Sequence, residues 1–179
     1  MRWDLSAHTY QKYTAEHGLA DNSVRAVVPD GHGGVWFGTR SGVSHFDGND
    51  WTSYTQRDGL AANDVTALLL DKDGNLWAAT ESNGVSALIG NRWYSFGPAT
   101  GLPSPWTWSL AQDRQGNIWV ATEAGAARFD GLFWRVFKES DGLVNQDVRC
   151  IAVDDGGSVW FGTSEASAVS MALAGQAIW

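Results

Sequence analysis

Several things are scarce in this chain, and each scarcity excludes something. Cys150 is the only cysteine in 179 residues, so no disulfide forms within the chain and the redox compartment stays open. No apolar run approaches the roughly 18 residues of a membrane span, and Met1-Arg2-Trp3-Asp4 does not open a signal peptide, so no membrane contact is expected of this chain. Positive charge is short as well. Twelve Lys and Arg stand against 20 Asp and Glu, and a net charge of -8 repels nucleic acid and anionic lipid surfaces. Charged residues make up only 18% while hydrophobic ones reach 44%, which excludes a disordered chain. A Ser-His-Asp order, a phosphate-cradling glycine loop and Cys-x-x-Cys are all missing, so no catalytic residue and no cofactor is expected. Nor do His8, His17, His32 and His45 offer metal-ligand spacing; no metal is expected.

What is abundant is glycine, 21 residues, and tryptophan, 11, and both recur in step. Gly33-Gly34-Val35-Trp36-Phe37-Gly38-Thr39 returns as Gly74-Asn75-Leu76-Trp77-Ala78-Ala79-Thr80, as Gly116-Asn117-Ile118-Trp119-Val120-Ala121-Thr122 and as Gly157-Ser158-Val159-Trp160-Phe161-Gly162-Thr163. The tryptophans lie 41, 42 and 41 residues apart, and Gly18-Leu19, Gly59-Leu60, Gly101-Leu102 and Gly142-Leu143 keep step 18 residues upstream of them. Two ladders locked at a period near 40, with short strands between, mark propeller blades.

Each repeat reads as four strands, A to D from the axis outward. Strand A (Val24 to Val28, Val65 to Leu70, Thr107 to Ala111, Val148 to Val153) is β-branched and small, as a strand buried on both faces should be. Simple alternation puts Val65, Ala67 and Leu69 on one face, and makes Cys150, in register with Ala26, Ala67 and Ser109, a small buried filler. The A-to-B turns carry Asp-x-x-Gly (Asp30, Asp71, Asp113, Asp154), where Asp bonds its own backbone and Gly supplies positive φ. Asp71-Lys72-Asp73-Gly74-Asn75 starts like a calcium loop, but Leu76 stands where its glycine belongs and Ser82 where its closing Glu belongs, so the hairpin reading is preferred. Strand B carries the Trp, filling the wedge between blades.

The expected fold is an all-β propeller of four-stranded antiparallel blades, about four per chain, in one domain spanning 1–179. Its repeats run about 18–58, 59–100, 101–141 and 142–179, with 1–17 as a complementing half-blade. Arg2-Trp3-Asp4 and Tyr10 to Thr14 match the C and D strands of later repeats, whereas the fourth repeat decays after Glu165 into Ala166 to Ala172, with a faint echo at Gly175 to Trp179. The N-terminal strands are therefore expected to complete the C-terminal blade and close the ring, removing open edges. Three arrangements fit: one four-bladed ring, a homodimer forming an eight-bladed ring, and a portion of a longer propeller.

Read in order, Asp58-Gly59-Leu60, Asn63, Val65, Asp71, Gly74, Trp77 and Thr80, with Phe46-Asp47-Gly48 and Phe129-Asp130-Gly131, resemble the two-component regulator propeller repeats over about residues 2–165. That resemblance implies a sensor region of the kind found in membrane-bound hybrid histidine kinases, with about seven blades per propeller and a periplasmic or extracellular setting. Pro105 departs from the pattern, standing where Asn22 and Asn63 stand, and Trp106 and Trp108 intrude into the third A strand.

Loops leaving strand B and loops leading into strand A should share one face of the disc. That face gathers Arg40, Glu81, Glu123 and Glu165 after each Thr, with His17, Asp58 and Asp141 ahead of Gly-Leu pairs. With Trp106 and Trp108 as an aromatic platform, Arg40, Glu81, Glu123 and His17 complete the six candidate ligand-binding residues, suited to a small molecule, a carbohydrate or a protein partner. The expected function is a non-catalytic ligand- or partner-binding propeller module, not an enzyme. Two alternatives stand beside it: a propeller lyase using His17 with Glu123, and a structural chain that only self-assembles.

Overall fold

The computed structural model describes residues 2–165 and 169–171. A short hairpin comes first, β1 (Arg2–Asp4) and β2 (Thr9–Gln11). Blade 1 follows as β3 (Val24–Pro29), β4 (Val35–Thr39), β5 (Gly42–Phe46) and β6 (Trp51–Tyr54). Blade 2 is β7 (Val65–Leu70), β8 (Leu76–Thr80), β9 (Val85–Ile89) and β10 (Arg92–Phe96). Blade 3 is β11 (Thr107–Gln112), β12 (Ile118–Thr122), β13 (Gly125–Phe129) and β14 (Trp134–Phe137). Blade 4 shows β15 (Val148–Val153), β16 (Val159–Thr163) and β17 (Val169–Met171). Every sheet is antiparallel and runs in chain order, as a propeller blade requires.

The inner strands β3, β7, β11 and β15 pack on one another in sequence and form the hub. Strands β8 and β12 are buried at every residue because a blade covers each side, while β4 and β16 are partly open because each lacks one neighbour. β3 and β15 do not pack on each other as their neighbours do, so the four sheets make an arc. The expected closure is not seen among the described residues: β1 and β2 pair only with each other, and β17 takes the third place in the last sheet. The blades are held at their shared spacing by the side chains wedged between them, which leaves β3 and β15 apart. The expected echo at Gly175 to Trp179, and Ala166 to Ala168, lie outside the described residues.

Between blades lie three apolar cores. Val28, Trp36 and Val43 of blade 1 meet Leu60, Val65, Leu68, Leu76 and Trp93 of blade 2. Trp77 and Val85 meet Leu102, Ile118 and Val120 in the second, and Trp119 and Phe137 meet Leu143, Val148, Ile151 and Phe161 in the third. The tryptophan ladder thus fills the wedges, with Trp119 5.1 Å from Phe137 and 5.7 Å from Phe161 between ring centroids.

Simple alternation fails at the start of every inner strand. The register slips between Val24 and Ala26, Val65 and Ala67, Thr107 and Ser109, and Val148 and Cys150, which leaves Arg25, Thr66, Trp108 and Arg149 as the extra residues of four β-bulges. Past the bulge the faces exchange. Val65 therefore shares a face with Leu68 and Leu70 toward blade 1, while Ala67 and Leu69 face blade 3. Cys150, expected inside, is exposed, because its face of β15 looks away from blade 3 and no described blade covers it.

The Asp-x-x-Gly turns do more than close a hairpin. Asp113 Oδ1 accepts the backbone N–H groups of Gln115 and Asn117, and its Oδ2 accepts the Asn117 amide at 2.8 Å and the Trp119 indole N–H at 2.9 Å. Asp71 repeats the set with Asp73, Asn75 and Trp77, and Asp154 binds Ser158 and Trp160. In blade 1 the His45 ring, stacked on Trp36, takes the place of the indole N–H at Asp30, 2.9 Å away. Pro105 is explained by a neighbouring turn. Asn63 Oδ1 accepts the Gln56 N–H and Asn22 Oδ1 that of Ala15, but the third repeat has Pro98 there, with no N–H to satisfy.

Removing Asp113 strands the indole N–H of a fully buried Trp119, so Asp113→Ala should cost about 2–3 kcal/mol of unfolding free energy in a denaturant titration. Asp154→Ala should cost clearly less, since Trp160 is 39% exposed and water replaces the carboxylate.

Candidate functional site

The bulges decide where the chemistry sits. An extra residue in a strand cannot join the ladder, so its side chain is re-aimed, here at the rim where strand B leaves and strand A begins. The two loops are tied together there by backbone hydrogen bonds from Arg40 to Ser23 at 3.3 Å, Glu81 to Asp64 at 2.9 Å and Ser164 to Asp147 at 3.0 Å. The expected common face is therefore present.

Each bulge residue reaches toward a neighbouring blade. Arg25 Nη1 donates to Glu81 Oε2 at 2.8 Å and lies 3.0 Å from Asp64 Oδ1, within ion-pair reach though not aligned for a hydrogen bond. Thr66 Oγ1 donates to the Thr107 carbonyl at 2.8 Å. The Arg149 guanidinium lies 4.5 Å over the Trp108 ring and is anchored by Asp147 at 2.6 Å. The Trp108 indole N–H is buried without a hydrogen-bond partner, so it is the stacked guanidinium and not a polar tie that holds this ring.

Of the six residues expected from sequence, five fall along this rim. Glu81 joins Arg25 and Asp64, and Arg40 adds positive charge beside Asp21, Asp64 and Glu81. Glu123 accepts from Ser104 Oγ at 3.2 Å, and that same hydroxyl accepts the Trp106 backbone N–H at 3.1 Å. Trp106 is 38% exposed, whereas Trp108 is half-buried. His17 is placed differently. Its Nδ1 accepts the Thr14 N–H at 3.2 Å and lies 2.8 Å from Thr14 Oγ1, so it caps a 3-10 turn, and it lines an open groove with Gln11, Tyr13 and Trp51. No contact joins it to Glu123. Asp58 and Asp141 make the same cap on Thr55 and Lys138. Arg25, Thr66, Arg149, Asp64 and Asp147 of the rim were missed from sequence. The signal was a column that reads Arg25, Thr66, Trp108, Arg149, varied in size and charge inside strands that are otherwise largely apolar.

The carboxyls at the rim differ in character. Burial, reinforced by a hydrogen bond with Glu81, raises the Asp64 pKa above the ordinary aspartate range, against the pull of Arg25. The Arg25 hydrogen bond, helped by Asp64, lowers that of Glu81. Asp21 is lowered by the Ser23 N–H and the Ser41 hydroxyl. Among the described residues no three His, Cys, Asp or Glu side chains meet as a metal site, and no helix is long and apolar enough to cross a membrane.

Comparison with known proteins gives one family and one architecture. The family described as two component regulator propeller matches residues 18–41, 59–82, 101–124 and 142–165, together more than half of the chain. No curated protein matches. Among solved structures, the extracellular domain of a B. thetaiotaomicron protein described as a hybrid two component system superposes with a TM-score of 0.76 at 22% identity, covering 86% of this chain and 22% of that one. Virginiamycin B lyase from Staphylococcus aureus gives 0.66 at 16% identity, over 83% of this chain and 55% of the other. PorZ, a surface component of the type-IX secretion system of Porphyromonas gingivalis, gives 0.65 at 15% identity, over 90% and 27%. This chain thus spans from about a fifth to little more than half of their lengths, and at such identities the likeness is one of fold.

A raised Asp64 pKa supports the fold while Asp64 is protonated, and that support is lost as pH rises through its folded value. Asp64→Asn should therefore raise the Tm near pH 7, with the gain shrinking toward about pH 3, where both side chains are neutral. A lower Tm for the variant at neutral pH would mean that the Arg25 pair outweighs burial.

Proposed function

This chain belongs to the two component regulator propeller family, and from that premise we propose that it is a non-catalytic binding module of the sensor type, with its site along the hub rim. One observation carries the reading: the four inner strands keep the same bulge, while the residue it projects at the rim ranges from Arg25 and Arg149 to Thr66 and Trp108. A constant scaffold with a varied side chain is how a repeat fold builds a specific surface.

The rim offers guanidinium groups, carboxylates and one exposed indole. Such a set matches a polar, hydroxyl-rich ligand with one flat face, such as a carbohydrate: the paired charges supply donors and acceptors, and Trp106 supplies a stacking surface. Nucleic acid does not fit a net charge of -8. A periplasmic or extracellular setting agrees with the extracellular domain that superposes on the chain.

The lyase reading draws less support. Its base would be a histidine beside an acid. Yet His17 caps a turn, His45 is held by Asp30 under Trp36, His8 lies in the β1–β2 turn and His32 in the β3–β4 turn. None reaches Glu123.

Thermal-shift screening against a panel of neutral and acidic oligosaccharides tests the proposal. A binder should raise the Tm of the unmodified chain. Trp106→Ala should abolish that shift while leaving the unliganded Tm within about 3 °C, since its ring is partly exposed and outside the interblade cores. A binder whose shift survives both Trp106→Ala and Arg25→Ala binds elsewhere, and the rim is then not the site.

A further inference from the structure

Blade 1 exposes what every other blade hides. In blade 2, Leu60, Val65, Leu68 and Leu76 are packed against Val28, Trp36 and Val43 of the blade before. The same positions in blade 1 are Leu19, Val24, Val27 and Val35, and with Tyr13, Phe37 and Phe46 they line an apolar groove of about 340 Å³. Val27 is 59% exposed and Val24 38%. An apolar sheet face of this kind is costly to leave in water and marks an interaction surface.

The other end of the arc carries the matching half. Ala152 and Trp160 stand in the positions of Val28 and Trp36, Leu69 and Trp77, and Ala111 and Trp119, which press on the following blade. Trp160 is 39% exposed where Trp77 is 3% and Trp119 0%. Each end thus holds the side of an interblade contact that the other lacks. Within one chain they do not meet, since β3 and β15 are not packed together.

The N-terminal hairpin says what shape of occupant the groove takes. Tyr13, just after β2, packs on Trp51 at 5.5 Å as Tyr54, at the end of β6, packs on Trp93 at 5.8 Å. β1 and β2 therefore occupy the place of the third and fourth strands of a blade, and no described strand takes the place of its first two. Among the described residues β1 pairs with β2 alone, which leaves its other edge to accept a strand.

We propose that the missing pair is β15 and β16 of a second copy of this chain. They lie in the groove, β1 pairs with the β16 edge in place of β17, and two copies close head to tail as an eight-bladed ring. The contact is heterologous, two different surfaces meeting, and two repetitions of it close the ring. It rests on the packing alone and is independent of what the rim binds.

Sedimentation velocity and light scattering test this on the intact chain. The expected mass is that of two 19.4 kDa chains, with Cys150, exposed in one copy, protected from a thiol reagent. Val27→Asp and Ala152→Asp change exposed positions, so circular dichroism should show both folded, and each alone should lose the two-chain species. Mixed together they should recover it, because one intact contact remains between a sound blade 1 and a sound blade 4. A single-chain mass for the unmodified protein overturns the proposal. So does a pair that survives Ala152→Asp, which would be joined through two blade 1 faces, and so does an open array growing beyond two copies.

Discussion

The structure depends on one hydrogen bond repeated along the chain, from an indole N–H to the aspartate that opens the preceding turn. Asp71 holds Trp77 and Asp113 holds Trp119, each at 2.9 Å, and Asp154 holds Trp160 at 2.8 Å. The same carboxylates gather the turn's backbone N–H groups. One residue therefore fixes the hairpin's shape and the direction in which a large ring leaves it. Burying an indole N–H unpaired is costly, and for these three rings the partner comes from their own blade. The ring is then free to be wholly apolar toward the next blade, and that sets the spacing of sheet from sheet.

From that spacing the rest follows. Sheets wedged apart by indoles and phenyl rings bring only their first strands to the hub, where the crowding is greatest. The bulge near the start of each of those strands takes one side chain out of the packed ladder and hands it to the rim. Core and rim are thereby separated by a single residue: Val24, Val65, Thr107 and Val148 belong to the cores or their open continuation, and the residues after them project at the rim. Arg25 with Asp64 and Glu81, and Arg149 over Trp108, show the consequence, since both link neighbouring blades through groups that the cores could not hold uncompensated.

Much of this was legible in the residues. The period, the four strands per repeat, the turns with their glycines in positive φ, such as Gly74 at 83°, and the tryptophan wedges all follow from local rules that act within ten or so residues. The bulge was not legible, because an inserted residue looks like any other until its partner strand is laid beside it. Missing it misplaced Ala67, Leu69 and Cys150 by one face. It also hid Arg25 and Arg149, which belong to the rim. His17 shows the opposite error: a chemically versatile side chain that the local turn had already claimed through Thr14.

The sequence by itself determined the repeat, the blade and the family, because these are set by hydrophobic pattern and turn chemistry that every copy restates. Only the tertiary structure decided which faces are covered, which side chains reach the rim and that the ends of the arc stay apart. Those depend on how rigid sheets stack at a distance fixed by the rings between them, and no single repeat carries that information. Blade 1 and blade 4 are written in the same residue pattern as blades 2 and 3, and they differ in exposure because each has a neighbour on one side alone.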